Sequence, residues 1–111
     1  MSAPRDDQVY LHHIRDAIAR IQTYVEGLTQ ADFLDTPIVQ DAVIHQIQVI
    51  GEAARRVSAS FQAKSPAVPW RNIVGMRHKL VHDYMSVDLE AVWTTVQKDI
   101  PALRAELSKL I

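Results

Sequence analysis

The sequence contains no cysteine and only three glycines among its 111 residues. Without cysteine there is no disulfide framework and no thiolate metal site. The scarcity of glycine, and the lack of alternating Val, Thr and Tyr in the long periodic segments, favour helices over strands. No apolar run approaches the roughly 18 residues of a membrane-spanning helix, and the first seven residues lack an apolar signal core. We therefore expect a cytoplasmic protein that is not bound to a membrane.

Metal-binding patterns are also missing. His12 and His13 are adjacent, so on a helix they point to different faces, and His45 stands alone. A metal site would need a closer cluster, such as His-x3-His with further ligands. The sequence thus predicts structural or surface roles for these three histidines, and no bound metal or cofactor.

Charge is distributed unevenly along the chain. The formal net charge of −1 argues against a generally basic nucleic-acid-binding protein. From Ala53 to His82, however, the chain has no Asp or Glu, and its six basic residues there are Arg55, Arg56, Lys64, Arg71, Arg77 and Lys79. Such a segment is typical of a phosphate-binding surface. A solvated basic face without a ligand would have the same composition.

Apolar residues recur at helical spacing over most of the chain, which predicts an all-α fold. We expect one domain over residues 1–111, folded as an antiparallel bundle of four to five helices. The first half is predicted as a helix over 5–28, a capped turn from Thr29 to Leu34 and a helix from Pro37 to about Ala59. The second half is predicted as a loop over 58–68, a helix from Pro69, and a helix after Asp88 that is broken or kinked near Pro101.

The helix that follows Pro69 carries the most informative residue, Arg77. At ~100° per residue, Arg77 lies in the middle of an apolar stripe about 120° wide. The stripe consists of Trp70, Ile73, Val74, Leu80 and Val81. One interpretation is that the Arg77 stem packs while its head reaches water. The other is that Arg77 points into a cleft or subunit interface and binds a phosphate.

A histidine and a tyrosine follow Arg77 in the pattern Arg77-x4-His82-x-Tyr84. Helix positions five apart diverge by ~140°, so Arg77 and His82 share a site only if the helix ends near Val81 or if they meet across a dimer. Asp83 and the segment 86–88 support a helix end there.

This motif directly follows Gly75-Met76, and the segment Gly51-Glu52-Ala53 comes before it in the chain. Together these residues resemble the HEPN superfamily and most closely its HepT-like toxin branch. The resemblance extends over roughly residues 9–110. It departs from the family at His78, where Asn is frequent, which leaves the role of His78 open. Glu52 has two interpretations: it either lies beside a close helix approach at Gly51 or pairs with an arginine such as Arg77.

The resemblance implies a metal-independent endoribonuclease whose cleft forms at a homodimer interface. Arg77 and His82 would be the catalytic residues, and Arg71, His78 and Lys79 are candidate RNA-binding residues. It also implies the toxin of a type II-like toxin–antitoxin pair, with a nucleotidyltransferase antitoxin that adds AMP to Tyr84. The alternative is a non-catalytic helical dimer that binds a nucleotide or acts as a protein-interaction module.

Overall fold

The computed structural model describes residues 5–83 and 86–111, and these residues form an all-α fold. The predicted fold class is therefore confirmed, although the described residues contain more helical segments than the four or five expected. The helices are α1 Arg5–Val25, α2 Gln30–Leu34, α3 Pro37–Arg56, α4 Ala59–Lys64, α5 Trp70–Val74, α6 Met76–Leu80, α7 Leu89–Thr94 and α8 Ile100–Leu107. A short antiparallel strand pair, β1 Val81–Asp83 and β2 Ser86–Val87, lies between α6 and α7.

Helices α1 and α3 form the central antiparallel pair. The buried Asp7 near the start of α1 accepts hydrogen bonds from the Ser58 backbone N–H (2.8 Å) and hydroxyl (2.6 Å), just after α3 ends. Helix α8 packs on the other side of α1, where Arg104 Nη1 donates to Gln22 Oε1 at 2.7 Å. The buried apolar side chains of all the long helices join in one core cluster.

Several predicted helix boundaries are confirmed and others are wrong. Thr29 and Asp32 form the predicted capping box of α2, and the Asp88 carboxylate accepts from the Ala91 N–H to cap α7. Helix α1 ends at Val25, earlier than predicted, because the chain turns through Gly27, whose φ of 77° favours glycine. Helix α3 begins at Pro37 as predicted, but the Thr36 hydroxyl donates to the Asp32 carbonyl instead of capping the helix.

The predicted loop over 58–68 is wrong because it contains α4. Ser58 caps this helix by accepting from the Phe61 N–H at 3.2 Å, and Gln62 Nε2 donates back to the Ala54 and Val57 carbonyls. These bonds compensate for the weak apolar period of the segment. Near Pro101 the helical backbone does not break, but a π-helical turn, Thr95–Asp99, leads directly into α8, and such turns are one cause of helix kinks. Among the described residues, no helix has the length and apolar character needed to cross a membrane.

Candidate functional site

The motif segment consists of two short helices followed by a strand. Helices α5 and α6 meet at Gly75, and α6 ends at Leu80, so the backbone of His82 lies in β1. The expected helix end ahead of His82 is thus confirmed. Arg77 and His82 are therefore not held at the ~140° separation that a continuous helix would impose.

The strand pair is irregular at His82. Val81 pairs with Val87 and Asp83 pairs with Ser86, so His82 is an extra residue on β1. Irregularities of this kind are frequent next to active sites. The Asp88 N–H donates to the Leu80 carbonyl at 2.9 Å, which ties the start of α7 to the end of α6. The backbone on both sides of His82 is consequently anchored to helices.

The apolar stripe predicted around Arg77 packs mainly into the core of this chain. Trp70, Ile73, Leu80 and Val81 are buried, and Val74 is half-buried. Trp70 Nε1 donates to the Ser65 carbonyl at 3.0 Å, and its ring meets Phe61 of α4 edge-on at 6.5 Å between centroids. The stripe therefore positions α5 and α6 within the monomer.

Arg77 is half-buried, and its Nε atom is buried without a hydrogen-bond partner among the described residues. A guanidinium cannot lose its proton, and a buried donor without a partner typically costs about 1–3 kcal/mol. A stem that packs while its Nη groups reach water would also bury Nε, so both interpretations of Arg77 stay open.

Helix α3 lies against α5 at Gly51. A Cβ atom at this position would lie 3.4 Å from the carbonyl oxygens of both Ile73 and Val74. The close helix approach expected at Gly51 is thus confirmed, and it fixes the distance between α3 and α5.

Because this contact is tight, we expect Gly51→Leu to lower the free energy of unfolding by about 1–3 kcal/mol. Gly51→Ala is the matched control: its methyl group only touches the two carbonyl oxygens, and alanine favours helix by up to about 1 kcal/mol over glycine. Urea denaturation measures both variants. A Gly51→Leu protein as stable as the wild type would contradict the close packing.

Glu52 does pair with an arginine, as one of the two interpretations held, but the partner is Arg55 and not Arg77. Its carboxylate accepts from Arg55 Nη2 at 2.7 Å, one turn along α3, and both side chains are exposed. Among the described residues, Glu52 forms no salt bridge to another helix. Glu52 thereby neutralises one of the two arginines at the end of α3.

The three candidate RNA-binding residues are all exposed, and two of them line different hollows. Arg71 lines a hollow between α4 and α5, whereas Lys79 lines an apolar groove of about 370 Å³ between α6 and α8. His78 is exposed on α6 beside Arg77. Their role in binding RNA stays a prediction. Tyr84 lies outside the described residues.

Sequence reasoning missed a cluster on the other side of α3. His13 of α1 and His45 of α3 line the same surface hollow, together with Tyr10 and Arg56. Helical periodicity placed each histidine near a surface but did not give the register of α1 against α3. Within 6–81 and 86–111, where the structure describes the side chains, no three His, Cys, Asp or Glu residues are grouped to hold a metal ion.

Comparisons with known proteins show the family to which this chain belongs. The family described as "Ribonuclease HepT-like" matches residues 14–110. A Methanocaldococcus jannaschii protein named "Gamma-glutamylcyclotransferase and putative RNase" is 38% identical over 107 residues, which is 96% of this chain but 48% of that protein. The chain therefore spans about half the length of this relative. No solved structure matches the chain.

Two other relatives match along nearly their whole length. The "Probable ribonuclease HepT" of Thermococcus cleftensis is 38% identical over 106 residues, 96% of each chain. A "Putative RNase" of Caldanaerobacter subterraneus is 33% identical over 111 residues, all of this chain and 96% of that protein. The family match over residues 14–110 and these full-length relatives show that this chain belongs to the HepT-like ribonuclease family within the HEPN superfamily.

Proposed function

We propose that this chain is a metal-independent endoribonuclease and the toxin of a toxin–antitoxin pair. The observation that carries the proposal is the half-buried cation Arg77 one short helix ahead of His82, in a chain that matches the HepT-like ribonuclease family over residues 14–110. Relatives named as ribonucleases support RNA as the substrate.

RNA supplies its own nucleophile, the 2′-OH beside each phosphodiester. Cleavage needs a base that removes the 2′-OH proton, an acid that protonates the leaving 5′-oxygen, and a cation near the charged phosphorane-like transition state. Histidine suits both proton transfers because its side chain titrates near neutral pH. Arg77 would grip two phosphate oxygens with its planar guanidinium. The products would be a 2′,3′-cyclic phosphate and a 5′-hydroxyl.

Base and acid are two roles, but each chain offers one motif histidine. A two-fold dimer that brings two copies of His82 and of Arg77 to one cleft would supply both roles. We therefore expect a homodimer at micromolar concentration, measured by light scattering coupled to gel filtration. A monomer that cleaves RNA would contradict the composite site.

The cleavage assay tests the function as a whole. Purified protein should cut single-stranded RNA in the presence of EDTA, because the proposed chemistry uses only protein side chains. Chemical analysis of the ends should find the 2′,3′-cyclic phosphate. Binding of RNA or nucleotide without cleavage would instead favour the non-catalytic alternative.

The proposed antitoxin is a small nucleotidyltransferase, and Tyr84 is the residue that it would modify. An AMP group on Tyr84, two residues from His82 in the sequence, would bring a phosphate close to where substrate phosphate should bind. Like charges would then repel the RNA. This mechanism would silence the toxin without unfolding it.

Tyr84→Phe separates regulation from catalysis. A phenol has an ordinary pKa near 10 and is a poor base at neutral pH, so this variant should keep most of its cleavage activity. It should gain no AMP when incubated with the antitoxin and ATP, as measured by intact mass, whereas wild-type protein should gain one. Equal labelling of both proteins, or AMP mapped to another residue, would refute the role of Tyr84.

A further inference from the structure

A surface hollow between α1 and α3 is built from side chains that the proposed cleavage mechanism does not use. Its volume is about 350 Å³, within the range of about 300–1,000 Å³ that is usual for small-ligand sites. Tyr10 and His13 form one wall, with ring centroids 6.2 Å apart in an edge-on arrangement. Val49 and Ala53 contribute apolar surface, and His45, Gln48 and Arg56 contribute polar groups.

The charges around the hollow favour an anionic ligand. Its one carboxylate, Glu52, pairs with Arg55 at 2.7 Å. Arg56, the next residue, forms no ion pair within the described parts of the chain. Both His13 and His45 are exposed and can donate ring N–H groups. The hollow thus combines an aromatic wall, an apolar floor and cationic or donor groups at its edge.

We propose that this hollow binds one nucleotide of a single-stranded RNA, with the base against Tyr10 and the phosphate near Arg56 and the two histidines. Proteins recognise unpaired RNA by stacking splayed bases on aromatic side chains and by pairing arginine with the backbone. A surface that binds a protein partner would more typically be flatter and would expose charges of both signs. The proposal rests on the proposed function, since it assigns a second contact to the same substrate.

The hollow and helix α5 lie on different sides of α3. Gly51, which touches α5, and Val49, which lines the hollow, are about 160° apart around the helix. A helix with its side chains is about 10 Å thick, so Arg77 and the hollow would contact different nucleotides of one strand. The hollow would therefore help to select and orient the RNA without touching the cleaved bond.

The experiment measures affinity for a short single-stranded RNA by fluorescence anisotropy, in the His82→Ala protein so that the RNA stays intact. Tyr10→Ala and Arg56→Gln should each weaken binding about tenfold, the size expected for one lost stack or phosphate contact. Tyr10→Phe should bind like its parent because it keeps the ring.

Matched controls come from α1. Tyr24 is half-buried like Tyr10, and Arg20 is exposed like Arg56, but neither lines the hollow. Tyr24→Ala and Arg20→Gln should therefore bind RNA like the parent protein. Because Arg56 is exposed, Arg56→Gln gives a test that does not depend on how well Tyr10→Ala folds. Equal losses in the control variants, or unchanged affinity of Arg56→Gln, would overturn the proposal.

Crosslinking provides a second and independent result. RNA that carries 5-iodouridine should, on irradiation, attach to Tyr10 or His13, as mapped by mass spectrometry of the His82→Ala protein, in which the RNA stays intact. Crosslinks confined to other helices would overturn the proposal. Because binding and cleavage are measured separately, the two hypotheses can fail separately. Unchanged binding by the hollow variants with normal cleavage refutes only the hollow, whereas site-specific crosslinks without any cleavage refute only the ribonuclease.

Discussion

Replacing His82 with alanine is expected to reduce RNA cleavage by about 10²–10⁴-fold, the usual contribution of a positioned acid–base group. No other residue of the proposed chemistry can exchange protons near neutral pH. His12→Ala is a suitable control because His12 lies on α1, outside both the motif and the hollow. The measurement is the rate of cleavage under single-turnover conditions, with circular dichroism to confirm the helical fold. Cleavage within a few-fold of wild type would remove His82 from the mechanism.

Arg77→Met is expected to reduce cleavage by about 10²–10³-fold, because it removes the cation that would stabilise the transition state. Methionine keeps most of the apolar stem, so packing should change little. Arg77→Lys should restore only part of the rate, since an ammonium group does not offer the planar, two-pronged contact of a guanidinium. The series is measured with the same single-turnover assay.

The stability of Arg77→Met carries separate information. In the protein without RNA, Arg77 Nε is buried and has no hydrogen-bond partner among the described residues. Removing a buried donor of this kind should leave the free energy of unfolding unchanged or raise it by about 1–3 kcal/mol. A fall in both stability and activity would mean that Arg77 supports the fold instead of a substrate.

The sequence predicted the long helices well because their signals are local. Proline at the start of α3, the Thr29–Asp32 box and the Asp88 cap each act within one turn of the chain. Helix α4 was missed because its apolar period is weak and its support comes from hydrogen bonds: the Ser58 cap, Gln62 bonding back to the end of α3, and Asp7 bonding to Ser58 across 51 positions. No periodicity within the segment reports such contacts.

The backbone around the candidate site was predicted in part. Asp83 and the segment 86–88 indicated a helix end, and Gly51 indicated a close approach, and both are found. The roles of Arg77 and His82 stay predictions. The extra residue on β1 depends on pairing with β2, which is too short to leave a pattern. The meeting of His13 and His45 depends on the register of two helices, which the sequence does not encode locally.

The composite dimer site is the central claim, and a mixed dimer tests it most directly. Differently tagged wild-type and His82→Ala chains are co-expressed, and the heterodimer is isolated by two affinity steps. If one cleft needs both copies of His82, the heterodimer should cleave RNA about 10²-fold or more slowly than the wild-type homodimer. If each chain instead carries a complete site, the heterodimer will retain about half of the wild-type activity, and that result would contradict the account.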